Sequence, residues 1–403
     1  MGVLVAVLAA VACSDTDSIP NASARSDEQP LSVRLEHEIH HLFGDVVSVA
    51  VDPDGRVFLA DDMVLTVWEF GANGEVVDSI GRSGAGPGEF ASLDNIQWLA
   101  DTLYTFDASL QRLTAFPVSG ERGGSASSYR TVTFRSRRGV LSAWVSPTDR
   151  SVIYSAAAPV VRAWEVTQDQ TTVHRVPSTA RVVEENPDEI ILLPVEERLI
   201  TVRPGAFGMT EPVPFGRSSF IRVGPEGNIY HFWTGETLIR KYDPDGSLLD
   251  EIPLPGGLGR PVTPQDMDDL FASIAQLESL SETSRDRAIQ RIESARAENR
   301  LPTHWPVATD FVVDERGRLW VALVEPTDVI RWTEVGGRRY SYASPTDERR
   351  HLVVLDPEGG TSRSGILATA GQIVAVRGNR MYVLTTDLMG VQFVKVLTIN
   401  GDN

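Results

Sequence analysis

The feature that most constrains this chain is a repeated unit of apolar run, tight polar turn and second apolar run. The clearest copy is residues 49–60 (VAVDPDGRVFLA), continued by 66–80 (TVWEFGANGEVVDSI). Asp-Pro-Asp-Gly and Asn-Gly supply the positive φ that tight hairpins need, so the copy predicts strand, turn, strand, turn, strand. Residues 220–232 (FIRVGPEGNIYHF) with 238–249 (LIRKYDPDGSLL) repeat it, as do 311–322 (FVVDERGRLWVA) with 352–359 (LVVLDPEG). Weaker copies are 96–106 with 113–116, 140–154 with 163–166, and 373–383 with 392–397, which makes six in all.

Short strands in one recurring order suit a ring of antiparallel sheets better than a sandwich of unrelated hairpins. The expected fold is therefore an all-β, six-bladed β-propeller over residues 31–403. A ring of sheets is stable only if its first and last members share strands, since otherwise two edges stay open. Residues 31–40 alternate as a strand and precede the first full copy, so they are expected to supply the outer strand of the last blade. The repeat is hardest to see at 178–216, where the third blade is expected to carry a long extra hairpin.

A helical insertion is expected at about 263–300, between blades four and five. There Met267, Leu270, Phe271, Ile274 and Leu277 share one helical face, and Thr263 with Pro264 and Asp266 forms a start signal. It reads either as cover for the blades beside it or as a lid over one face of the ring.

Charge and cysteine usage narrow the function class. With 37 Lys and Arg against 55 Asp and Glu, the net charge is −18, which opposes any main role in gripping nucleic-acid phosphates. A single cysteine excludes an internal disulfide and a cysteine zinc knuckle. That cysteine follows an apolar start: residues 1–12 read as an export signal, Ala10-Val11-Ala12-Cys13 resembles a bacterial lipobox, and 13–30 turn polar like a flexible tether. Ala at position 10 and the lack of Lys or Arg before the apolar run depart from that motif. Cys13 is thus the expected lipidation site and the cell envelope the expected location, at the outer membrane or facing the periplasm in a Gram-negative cell.

The string 79–90 (SIGRSGAGPGEF) resembles the blade-linking signature of bacterial six-bladed β-propeller proteins related to NHL-repeat and TolB-like propellers, and the similarity spans about 31–400. The resemblance implies a propeller lipoprotein, often with a helical insertion. On it, Gly81, Arg82, Gly84, Gly86, Pro87, Gly88, Glu89 and Phe90 have a structural role. Their spacing fits neither phosphate-binding glycine motif, and no helix pattern follows.

Candidate chemistry is sparse. His37-Glu38-Ile39-His40-His41 satisfies the H-E-x-x-H pattern, which on a helix would bring His37 and His41 to a zinc ion, but the same residues alternate as a strand and no third ligand follows. Asp61, Asp62, Asp107, Asp310 and Asp387 fall near strand ends, as turn residues or as channel-facing metal ligands of the kind gluconolactonase-like propellers use. Trp68, Trp98, Trp144, Trp164, Trp320 and Trp332 fall within strand patterns and are expected to pack between blades. His231, Trp233, His304 and Trp305 lie near loop ends and are the candidate ligand surface. The expected function is a monomeric binding or scaffolding module for a protein, peptide or glycan, without nucleic acid and without a resident cofactor. The alternative is a propeller hydrolase or lactonase with calcium or another divalent metal in its channel.

Overall fold

The computed structural model describes residues 31–118, 129–135, 139–157, 167–176, 182–183, 189–201, 209–257, 259–277, 280–324, 329–335, 338–344, 350–358, 361–367, 371–387 and 390–400. After β1 (Ser32–His40), the first sheet comprises β2 (Val46–Val51), β3 (Val57–Asp61), β4 (Thr66–Phe70) and β5 (Val76–Ile80), hydrogen-bonded in that order. The second comprises β6 (Asn95–Leu99), β7 (Thr102–Asp107), β8 (Arg112–Pro117) and β9 (Arg130–Phe134). The third holds β10 (Val140–Val145), β11 (Val152–Ala157) and β12 (Thr167–Val176). The chain then leaves it for β13 (Val182–Val183), parallel to β9, and returns as β14 (Glu189–Thr201) and β15 (Met209–Pro212).

The fourth sheet is β16 (Ser219–Val223), β17 (Ile229–Trp233), β18 (Leu238–Tyr242) and β19 (Leu248–Pro253). Two helices, α1 (Pro264–Ala275) and α2 (Glu282–Ala297), lie in the connection to β20 (Ala308–Val313) and β21 (Leu319–Leu323). A separate hairpin of β22 (Val329–Val335) and β23 (Arg338–Ser344) follows, with β22 lying against α1. The fifth sheet resumes with β24 (Arg350–Asp356) and β25 (Thr361–Leu367). The last is β26 (Gln372–Arg377), β27 (Arg380–Thr386) and β28 (Gln392–Asn400), and its fourth strand is β1, antiparallel to β28.

Among the described residues the strands thus form six sheets of four or five strands and one two-stranded hairpin. The first strands of neighbouring sheets lie side by side: β2 touches β6 and β26, β6 touches β10, and β20 touches both β16 and β26. The sheets therefore surround a central channel, and the fold is an all-β propeller. Burial peaks in the second strand and falls towards the outer edge: β2 is partly exposed to the channel, every residue of β3 is buried, and β5 exposes all but its last residue. Charge on that outer edge (Asp78) discourages pairing with another chain.

The hydrophobic core sits between sheets rather than within one. Ala50, Phe58 and Val67 of the first sheet meet Phe90, Ile96, Leu103 and Phe116 in the next. Ile39, Tyr382 and Val394 meet Val57 and Phe70 across the closing seam. Similar clusters fill the other four seams, from Phe106 with Tyr154 round to Trp320 with Met381. At about 1.5–3 kcal/mol for each fully buried large apolar side chain, these seams are the main source of cohesion.

One sequence expectation needs correction. Residues 37–40 are strand, with His37 opposite Val396 and His40 opposite Phe393, so His37 and His41 do not share a helical face and the H-E-x-x-H zinc reading falls. The β22–β23 hairpin interrupts the fifth sheet between the two parts of its repeat, and Trp332, expected within a strand, lies in β22. In the weak 178–216 stretch, the structure shows β14 and β15 extending the third sheet and β13 reaching back to the second.

Candidate functional site at the channel mouth

The innermost strands end in tight turns on one side of the ring, at residues 52–56, 100–101, 146–151, 224–228, 314–318 and 378–379. Two of these turns are built alike. Asp52 Oδ1 accepts the amides of Asp54 and Arg56 at 2.9 and 2.8 Å, and its Oδ2 accepts Arg56 Nε at 2.6 Å. Asp314 Oδ1 accepts the amides of Arg316 and Arg318, both at 2.9 Å, and its Oδ2 takes Arg318 Nε at 2.7 Å and Trp320 Nε1 at 3.0 Å. Both carboxylates are buried and fully engaged in holding their turns.

Inside this rim lies a cavity of about 460 Å³. Its lining is mixed: Val49, Val223, Val313 and Val374 come from four different sheets, and Gln97, Asp101, Arg222, Glu315 and Arg377 line it with them. Trp98 also lines it. The indole stacks on Phe58 with centroids 5.1 Å apart and planes 10° off parallel, and the Arg56 guanidinium lies 5.4 Å from the indole. Arg222 donates to the Ile221 carbonyl at 2.9 Å and leans over Phe220. A partly exposed lining of aliphatic side chains with a few charged groups is the usual make-up of a ligand pocket, and this volume falls within the usual range.

A second cavity, of about 480 Å³, opens along the seam between the last and first sheets and shares Pro53 and Arg377 with the channel mouth. Arg34, Thr398, Arg380 and Arg377 are register partners on four successive strands, so they share one face of the last sheet. Arg380 is neutralised by Glu36, whose carboxylate also accepts the Thr398 hydroxyl at 3.2 Å. The guanidinium holds the Glu36 carboxyl below the usual carboxylate range. Among the described residues Arg377 makes only a long contact, at 3.4 Å, to the Val51 carbonyl, and Arg34 forms no ion pair.

The residues singled out from sequence lie elsewhere. His231 is 1% exposed, Trp233 and Trp305 are also buried, and of the four only His304 reaches solvent. His231 Nε2 sits 2.8 Å from Ser219 Oγ, and burial, reinforced by Arg240, pushes its pKa down to about 3. Such an imidazole is neutral and a very weak base. Trp305 packs against Phe215 at 5.0 Å, under the Arg260 guanidinium at 4.1 Å and among Met267, Leu270 and Ile292 of the helices. With His304 bridged to Pro261, it clasps the base of the helical connection. That connection enters β20 at its N-terminal end, opposite the rim of turns, so the helices do not cover the channel-mouth cavity.

The glycine loop is structural. Gly81 has φ +79°, and a Cβ there would lie 2.1 Å from the Phe90 ring. Glu89 folds back so that its carboxylate accepts Arg82 at 2.8 and 3.0 Å and the Gly86 amide at 2.8 Å. Phe90 is buried against Phe116, and Gly84, Pro87 and Gly88 complete the crossing.

The acidic residues proposed for the channel are mostly occupied by backbone. Asp61 accepts the amides of Gly44 and Asp45, Asp62 that of Leu93, Asp107 those of Ala91 and Leu110, and Asp387 that of Val391. Among the described residues no three His, Cys, Asp or Glu side chains could together hold a metal. Cys13 and the 1–30 segment lie outside the described residues, as do Trp164 and the side chains of Asp310 and Trp332. No described helix is long and apolar enough to cross a membrane.

Sequence reasoning missed the residues that line the mouth. Arg222 and Arg377 each stand in an otherwise aliphatic run, one or two positions before the turn glycine (FIRVG and VAVRG). A cation inside an innermost strand was the available signal.

No family model matches the chain, and no curated protein matches it. Among solved structures, it is similar to virginiamycin B lyase from Staphylococcus aureus (9% identity, TM-score 0.40, 91% of this chain and 99% of that one). It is similar also to a member of the DUF4221 family from Bacteroides vulgatus (10%, 0.47, 93% and 99%). A third is a gluconolactonase from Xanthomonas campestris (13%, 0.38, 93% and 96%). No residue role comes from these likenesses, and the propeller assignment stands on the strand pairing itself.

Proposed function

We propose that this chain is a six-bladed propeller, lipid-anchored through Cys13 at the cell envelope, that binds a protein, peptide or glycan at its channel mouth. Six multi-stranded sheets, with a hydrophobic cluster in each seam, support the blade number. The observation that carries the binding reading is the cavity of about 460 Å³, where aliphatic side chains from four sheets converge beneath a rim of fixed turns. Rigid turns hold the pocket open, which lowers the ordering cost of binding. The tether would join at Leu31, next to β1 residue Ser32, which pairs with the last strand residue Asn400 on the same side of the ring as the cavity. The anchor would therefore sit on the ligand side.

The alternative of a channel-metal hydrolase finds no donor set among the described residues, because the acidic side chains near strand ends hold turns instead. The binding reading is tested by a 19F NMR fragment screen on the full chain and on Val313→Trp, which fills the mouth. Hits lost in the variant support the reading, and hits that all persist contradict it.

A further inference from the structure

Arg377 is the one charged residue shared by the channel mouth and the seam cavity. On one side of it lie the aliphatic side chains of the channel mouth. On the other lie the Thr398 hydroxyl, the Asn379 carboxamide, the Glu36–Arg380 pair, Asp52, Asp54 and the outer Arg34. Asp52, Asp54, Glu36 and Glu315 also line the two cavities, but Glu36 is paired with Arg380, Asp52 with Arg56, and Glu315 accepts the Gly378 amide, whereas Arg377 and Arg34 have no carboxylate partner among the described residues. Arg377's own bond, at 3.4 Å to a carbonyl, is longer than an ordinary N–H···O bond, so the guanidinium can turn to a better acceptor.

We propose that the two cavities form one site for the C-terminal end of a peptide whose last residue is aliphatic. The terminal side chain lies on the Val49, Val223, Val313 and Val374 wall, the α-carboxylate meets Arg377, and the preceding backbone runs along the seam past Asn379 and Thr398 towards Arg34. Bidentate guanidinium–carboxylate contact is the strong, oriented form of this interaction. The mixed polarity of the seam favours a peptide over a fatty acid, which shares the carboxylate and aliphatic body but would use only the channel half. This inference rests on the channel-mouth binding reading and names the group bound there.

The test is isothermal titration of the full chain with acetyl-Ala-Ala-Val-Val as free acid and as C-terminal amide, with dodecanoate as a third ligand below its micelle concentration. The expected result is free-acid binding at least about tenfold tighter than amide binding, the size of one hydrogen bond to a charged group. Arg377→Gln should erase that difference and Arg377→Lys should restore part of it, which separates charge recognition from misfolding. Equal binding of acid and amide overturns the proposal, as does a difference that Arg377→Gln leaves intact. Dodecanoate binding without peptide binding also overturns it, in favour of a fatty-acid site. If Val313→Trp still blocks the ligands that bind, the channel-mouth reading survives. If Arg377-dependent acid binding persists in Val313→Trp, both the channel reading and the two-part site fail.

Discussion

Gln97 lays its side-chain amide along the backbone of Val145 in the next sheet: Oε1 accepts the Val145 amide at 2.7 Å and Nε2 donates to the Val145 carbonyl at 2.9 Å. Two residues earlier Asn95 does the same to Ala143, at 3.3 and 2.8 Å. Innermost strands of neighbouring sheets are too splayed to pair by backbone, and these carboxamides bridge the gap. Gln97→Ala is expected to destabilise the chain by about 2 kcal/mol, two net hydrogen bonds, with Gln97→Glu similar because it loses the donor. Urea unfolding midpoints of the variants check this.

Asp314→Ala is expected to be more damaging than its place in a turn suggests. It removes the acceptor of two amides and of Trp320 Nε1, and leaves the nearly buried Arg318 without its carboxylate. A loss of about 2–3 kcal/mol follows from leaving buried donors without their acceptor. Asp314→Asn keeps the amide contacts and should lose less. Thermal unfolding of both variants measures the difference.

His231 makes stability depend on pH. Its folded pKa is lowered to about 3, so the folded chain keeps it neutral where the unfolded chain, with a pKa near 6.5, takes a proton. Between pH 6.5 and 3 the unfolded state binds more protons, and stability falls as pH falls, by up to about 1.4 kcal/mol per pH unit from this group. His231→Gln should flatten the stability profile in that window. Denaturant titrations at pH 7 and pH 4.5 give the two slopes, and parallel slopes for parent and variant would count against the assignment.

Asp266 anchors the helical connection. Burial acts to raise its pKa, but Arg260, bound at 2.8 Å to each oxygen, and the Thr263 amide and hydroxyl outweigh this and hold it at about 2. Its stabilising contribution is present above the ordinary carboxylate pKa near 3.8 and lost as pH falls towards 2. Asp266→Asn weakens the capping box and the ion pair together, at a cost of about 1–3 kcal/mol. Hydrogen exchange should quicken first in α1 and around Trp305, while the strands of the first sheet stay protected.

Much of the fold was legible because its turns are chemical. Each Asp-x-x-Gly string at 52–55, 243–246 and 314–317 places its aspartate oxygen on the amides two and four residues on, and each glycine adopts φ near +80°. The closing role of 32–40 followed from alternation and from the cost of an open edge, and β1 does pair with β28. Trp332 marked a strand, but the β22–β23 hairpin as a unit was not legible, because its strands belong to no repeat and β22 leans on α1. The site was hidden for a different reason. His231 and Trp305 have the chemistry of ligand contacts, but position in the ring decides exposure, and one lies inside a central strand while the other lies under helices. Arg377 reads as one more surface cation until the strands that flank it are placed.

The channel-mouth account is tested most directly by methyl NMR on the full chain with labelled valine, leucine and methionine methyls, titrated with a hit from the fragment screen. The account predicts shifts at Val49, Val223, Val313 and Val374, with Leu42, Met63 and Val391, the exposed apolar residues at the opposite end, unmoved. Shifts confined to Leu42, Met63 and Val391 would contradict it and move the binding surface to the other face of the ring.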